Sequence, residues 1–228
     1  MEEIWNGFLQ AVELIATLNP EVVEITARSL SISLSSAFLA SLICIPLGGF
    51  IEFRNFRGKR ALVNLIQTLY SLPTVTVGLL VFLLISRSGP LGGLHLLFSP
   101  AGMVMGQTVL VSPIMTGLTI SALAGVSPNI KDTAKSLGAS ETQVIATIIK
   151  EARPAVMAAV LLGFGRALSE VGVAMIVGGN IQGYTRVLTT AIALETSMGD
   201  LELSMALGII LITLSLAINL VLSRVQGR

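Results

Sequence analysis

Residues 29–50 read SLSISLSSAFLASLICIPLGGF and carry no charged side chain. A helix rises about 1.5 Å per residue, so about 20 such residues cross the roughly 30 Å hydrocarbon core of a bilayer. Two further uncharged stretches have that length, Ala61–Ser86 and Leu203–Ser223. A fourth, Ser99–Leu123, contains Pro113, which removes a backbone donor and crowds the preceding turn, so a kinked helix is expected there. The fifth, Ala155–Gly179, is apolar except for Arg166 and Glu170. The reading is an all-α integral membrane protein with about five transmembrane helices. Ahead of them, Trp5, Phe8, Val12, Leu14 and Ile15 alternate with polar positions, which suits an amphipathic helix lying on the outer surface. A sixth, shorter span is the rival reading of that segment. The expected organisation is therefore an N-terminal interface segment at 1–28 and a transmembrane domain at 29–228.

Composition agrees. Of the 228 residues 53% are hydrophobic and 12% charged, against about a quarter charged in a soluble domain. Net charge is +1, and the one basic run is Arg54, Arg57, Lys59 and Arg60, so the footprint of a nucleic-acid binder is missing. The single cysteine, Cys44, lies in an apolar stretch and reads as a buried, inert thiol. A cleavable leader would begin with a positive region, whereas Glu2 and Glu3 come first here, so the N-terminus is expected to stay on the mature protein. One histidine, no HExxH and no GxSxG argue against an intramembrane protease, and a metal site is not expected; His95 reads as an interfacial side chain. A secondary transporter also carries midmembrane charge, but many are built from two related halves, and no internal repeat is visible.

Orientation follows from Lys and Arg, which short cytoplasmic loops retain. With the segment Glu52–Arg60 placed inside, Gly125–Arg153 and the tail Arg224–Arg228 are inside too. Those segments hold ten of the 14 basic residues, against Arg28, Arg87 and Arg186 outside. The N-terminus is expected outside and the C-terminus inside.

The inner loop at 126–153 is full of helix punctuation. Ser127 and Pro128 suit a helix start, Gly138 a left-handed helix end, and Ser140 with Gln143 the spacing of a capping box. Ile130, Ala134 and Leu137 share one face at helical spacing. Such a helix either rests on lipid headgroups or docks into a partner, and spacing alone favours the headgroups.

The segment DTAKSLGASETQVIATII at 132–149 resembles the cytoplasmic pattern of ATP-binding-cassette importer permeases, Glu-Ala-Ala, three residues, Gly, nine residues, Ile, one residue, Leu-Pro. Asp132 stands at the Glu position, Ala134 at the second Ala, Gly138 at the Gly and Ile148 at the Ile; Thr133 replaces the first Ala, and Lys150-Glu151 replaces Leu-Pro. From about Arg28 onward the chain is similar to the molybdate, tungstate and sulfate permeases. GFGRALSEVGVAMIVGGNIQGYTRVLTTAIALETSMGD at 163–200 looks like the tungstate branch, and LPTVTVGLLV at 72–81 is similar to the family's second core helix. The resemblance implies a type I ABC importer permease fold in a prokaryotic inner membrane, with residues Asp132, Ala134 and Gly138 in a cytoplasmic coupling helix. It further implies a second copy of the chain, a cytoplasmic ABC ATPase dimer that carries the ATP and Mg, and a periplasmic or lipoprotein oxyanion-binding protein. This subunit itself is then no enzyme and binds no cofactor. Tungstate ranks first and molybdate is the alternative.

Arg166 and Glu170 sit four apart, about 17 Å from the cytoplasmic start of their span. Charges so deep are costly and should pair or face water. They either fix helix packing as a neutral pair or form a gate beside the passing anion. Ser71, Thr74 and Thr76, beside the kink at Pro73, and Ser112, beside Pro113, have hydroxyls to offer an oxyanion, although such hydroxyls commonly bond their own backbone. The serines at 29, 31, 33, 35, 36 and 41 read as small packing residues.

Overall fold

A computed structural model describes residues 2–225, with residues 2–4 and 6 as backbone alone. Arg228 of the expected basic tail and the side chains of Glu2 and Glu3 lie outside the described part. Nine α-helices follow one another among the described residues: α1 (Glu2–Ala16), α2 (Pro20–Phe53), α3 (Lys59–Thr68), α4 (Thr74–Ile85), α5 (Pro100–Ala124), α6 (Pro128–Ser136), α7 (Glu141–Leu168), α8 (Leu188–Met198) and α9 (Leu201–Val225). Three of them, α2, α5 and α9, are long and apolar enough to cross a membrane by themselves. Five crossings require α3 with α4 as one bent span and α7 as another.

Helix α2 starts at Pro20, where the Asn19 side chain accepts from the amides of Glu21 and Val22, and so begins well before Ser29. Its small residues Ala37, Ala40 and Cys44 pack with Val111 and Met115 of α5 and Ala167 of α7. Ser36, fully buried, donates to the Ile32 carbonyl at 2.7 Å and to Gln107 Oε1 at 3.1 Å, so the serine-rich face is a packing face. Ser31 and Ser35, by contrast, are exposed. Helix α5 continues through Pro113 to Ala124. The α1 helix lays Gly7 and Ala11 against α9 and leaves Trp5, Phe8, Leu9 and Val12 exposed.

Two expected spans are not continuous. Ala61–Ser86 is broken: α3 tightens into a 3-10 turn at Leu69–Ser71, Leu72 and Pro73 turn extended, and α4 leaves at 101°. The cause is Pro73, which drives Leu72 out of the helical region and supplies no amide hydrogen. Ala155–Gly179 likewise ends as a helix at Leu168; a π-helical turn at Ala174–Gly178 follows a break.

At one end of the bundle, the segment after α2 meets the loop between α5 and α7. Glu52, Asn55 and Lys59 line a cavity of about 400 Å³ together with Pro128, Lys131, Glu141 and Ile148. The opposite end is tied by Arg28, which donates to the Arg186 carbonyl at 2.9 Å, and by Ser29, which accepts from the Leu188 amide at 2.7 Å.

Candidate functional site

The two breaks face each other. Gly172, just past α7, comes so close to the start of α4 that a Cβ there would lie 2.6 Å from Thr74 Oγ1 and 3.0 Å from the Val75 amide nitrogen. Gly78 packs in the same way on the Val173 backbone. Val77, Val81, Val173 and Val177 seal the joint. Thus Pro73 and Thr74, from one break, and the segment holding Glu170, from the other, meet around one point.

Glu170 lies two residues beyond the end of α7 rather than on its face. Its carboxylate, 1% exposed, takes Arg166 Nη1 on Oε2 at 2.8 Å and the Val173 amide on Oε1 at 3.0 Å. The Thr189 hydroxyl donates to the Glu170 carbonyl at 2.7 Å. Glu170 therefore caps the turn that follows it and joins three elements, while the Arg166 side chain keeps 34% exposure. This geometry has both features weighed from the sequence, a paired charge and a cation open to one side. Ser71 is exposed and donates to the Thr68 carbonyl at 2.9 Å; Ser112 donates to that of Thr108 at 2.6 Å. Thr76 is exposed.

The second candidate region is the turn from α6 to α7. Gly138 has φ +82, and beyond its two chain neighbours no atom lies within 4 Å of the point a Cβ would occupy, so the backbone alone demands glycine there. Ser140 and Gln143 form the full capping box. Ser127 occupies the cap position of α6 but makes no side-chain cap bond. Asp132 is exposed, Ala134 is half-buried, and Ile130, Ala134 and Leu137 line one groove with Ala139 and Thr147. Leu137 is 83% exposed, an apolar knob without a cover. Lys135 Nζ meets Glu141 Oε1 at 2.8 Å, which holds the carboxyl below the usual glutamate range and the ammonium above the usual lysine range.

Two buried polar features escape a linear reading. Gln107 is 2% exposed in α5 and bonded to Ser36, and Arg186 pairs with Glu195 at 3.2 Å, both largely buried. Their partners lie on other elements, and the usable signal was only a polar residue inside an otherwise apolar run. Among the described residues no group of His, Cys, Asp and Glu is placed to hold a metal.

Comparison with known proteins adds a lineage to this geometry. The tungstate uptake system permease protein of Peptoclostridium acidaminophilum is 43% identical over 226 residues, covering 99% of each chain. The protein of the same description from Campylobacter jejuni is 37% identical, over 99% of this chain and 95% of that one. Among solved structures, an inward-facing MetNI methionine ABC transporter chain superposes with a TM-score of 0.75 at 15% identity, over 92% of this chain and 97% of that one. The fold is that of a type I ABC importer permease. A family described as binding-protein-dependent transport system inner membrane component matches residues 44–228. The chain belongs to that family of inner membrane transport components.

Proposed function

We propose that two copies of this chain form the passage of a tungstate importer in a prokaryotic inner membrane. An ATP-hydrolysing partner binds inside, and an oxyanion-binding protein delivers the ion outside. The observation that carries this reading is end-to-end similarity to a tungstate uptake permease, at 43% identity. Coupling is assigned to α6, with Asp132 on its exposed side, Ala134 in its groove and Gly138 ending it. A short helix that opens on Pro128 and is ended by the left-handed Gly138, with an uncovered apolar knob, is a shape on which a partner can push. ATP and Mg belong to the partner; this subunit contributes surface and no catalysis.

The passage is assigned to the facing breaks, with Ser71, Pro73 and Thr74 on one side and Arg166 and Glu170 on the other. A conduit must hold its ion weakly enough to release it, which favours hydroxyls and one half-neutralised arginine over a cluster of cations. Proline at 73 frees backbone groups at the start of α4 without adding charge.

The test is accumulation of tungsten, measured by mass spectrometry, in cells lacking their own tungstate uptake and supplied with this chain, its ATPase and its receptor. Accumulation that requires the chain and resists excess molybdate is expected. Equal accumulation without the chain, or purification of the chain with no ATPase attached, would refute the reading.

A further inference from the structure

Helix α3 is divided lengthwise into three sectors. Leu62, Val63 and Ile66 pack with Ile51 of α2 and Ile120 of α5. Ala61 and Leu65 are exposed and apolar. The third sector is exposed and polar: Arg60, Asn64, Gln67 and Thr68 fall within about 100° of arc at 3.6 residues per turn, and Ser71 continues the row. Thr68 and Ser71 satisfy their hydroxyls on the carbonyls of Asn64 and Thr68. The side-chain amides of Asn64 and Gln67 and the Arg60 guanidinium have no hydrogen-bond or ion-pair partner among the described residues.

Depth makes this row costly in lipid. Its far end reaches Tyr70, whose hydroxyl abuts Gly117, about 10 Å along α5 from the end at Ala124. Gln67 and Asn64 lie about 4.5 and 9 Å back along α3 toward that end, and unpartnered primary amides there are poorly placed against acyl chains, where nothing replaces their lost water. The row also has a direction. It begins at the basic segment Arg54–Arg60 and ends at Ser71, Pro73 and Thr74, where the breaks meet.

We infer that the polar face of α3, from Arg60 through Asn64, Gln67 and Thr68 to Ser71, lines a water-filled inner vestibule through which the oxyanion leaves the site between the breaks. This deepens the proposed function and rests on it for the identity of the ion. Amide N–H groups offer hydrogen bonds to a dianion without fixing it, and Arg60 at the mouth adds a cation where the ion departs. Leu65 faces lipid and Ile66 the core.

The test uses the assembled transporter, in a Cys44→Ala background, with single cysteines at Asn64, Gln67, Leu65 and Ile66, each labelled with bimane. In proteoliposomes, aqueous iodide is expected to quench labels at 64 and 67 about tenfold more strongly than labels at 65 and 66, because only water brings the ion to them. Phospholipids brominated in the acyl chain are expected to quench 65 alone. Bromolipid quenching at 64 and 67 would put the row on the bilayer, and quenching by neither agent would put it in a dry contact with a second copy; either overturns the inference. In a second arm, Asn64→Asp is expected to slow oxyanion uptake about tenfold while Asn64→Gln spares it, since a fixed anion repels the passing one. An unchanged rate in Asn64→Asp also overturns it. If the unlabelled transporter takes up no tungstate, the proposed ion is wrong, whereas the quenching pattern still decides the vestibule.

Discussion

A carboxylate withdrawn from water needs its hydration replaced, and Glu170 replaces it with an arginine on one oxygen and a backbone amide on the other. Removing it strands Arg166 and uncaps the following turn. Glu170→Ala is therefore expected to destabilise the protein by about 2 kcal/mol, a figure lowered because Arg166 keeps some water. Glu170→Gln is expected to cost less, since its amide oxygen can still accept from Val173. Thermal melting in detergent separates the two, and equal losses would mean that the ion pair carries the stability. Gly172→Val belongs to the same scale: its side chain would collide with Thr74 Oγ1 and the Val75 backbone, so the breaks must part. Loss of uptake with normal membrane levels is expected; normal uptake would show that the close approach is not needed. The four-residue spacing of Arg166 and Glu170 was readable as a pair from the chain alone. The Val173 cap and the Thr189 bond were not, because they depend on a break in the helix and on a residue 19 positions away.

Elements were legible where their signals are local. Gly138, Ser140 and Gln143 act on neighbours within one turn, so the α6–α7 corner could be read in detail. The breaks at 69–73 and 169–172 were harder, because hydropathy averages across them and only Pro73 gave a local sign. Gly138→Val tests the corner. A branched side chain resists the left-handed turn at a cost of about 1–2 kcal/mol, while no neighbour stands in its way, so the chain should fold and α6 should end differently. Weaker recovery of the ATPase in a pull-down is expected, and undiminished recovery would remove Gly138 from coupling. The Lys135–Glu141 contact makes the same corner sensitive to pH. Glu141, held below its usual value, contributes above the ordinary glutamate range and loses its contribution as acid protonates it. Lys135, held above its usual value, contributes through neutral pH and loses its part only in strong base. The protection of α6 amides, corrected for the intrinsic pH dependence of exchange, is therefore expected to fall below about pH 4 more than in Lys135→Met, which lacks the contact. Equal acid sensitivity in both proteins would exclude it.

The whole molecule constrains its own topology more tightly than any single span does. The C-terminal ends of α2 and α5 share one cavity with the start of α7, so the bent pair α3–α4 must return the chain to the far end before α5 begins. Ile85 at the end of α4 and Phe98 ahead of α5 are both found there: Ile85 packs near Gly102, and the Phe98 amide donates to the Val177 carbonyl at 2.9 Å. Helix α7 returns the chain once more, and α9 descends beside it, with Ile218 near Gly165. Packing thus makes α2, the α3–α4 pair, α5 and α7 alternate in direction, and labelling from one side tests which end faces the cytoplasm. The basic segments at 54–60 and 131–153 lie at the α6 end, while Arg28 and Arg186 are fastened together at the other. Since positive charge is retained inside, α6 is expected to face the cytoplasm. Single cysteines replacing Leu137 and Leu94, 83% and 61% exposed at opposite ends, report this directly once Cys44 is removed. A membrane-impermeant maleimide added to intact cells is expected to label position 94 and spare 137, and in inverted vesicles the pattern should reverse. Labelling of 137 from outside would leave α6 beyond the reach of any ATPase, and the coupling role would fall with it.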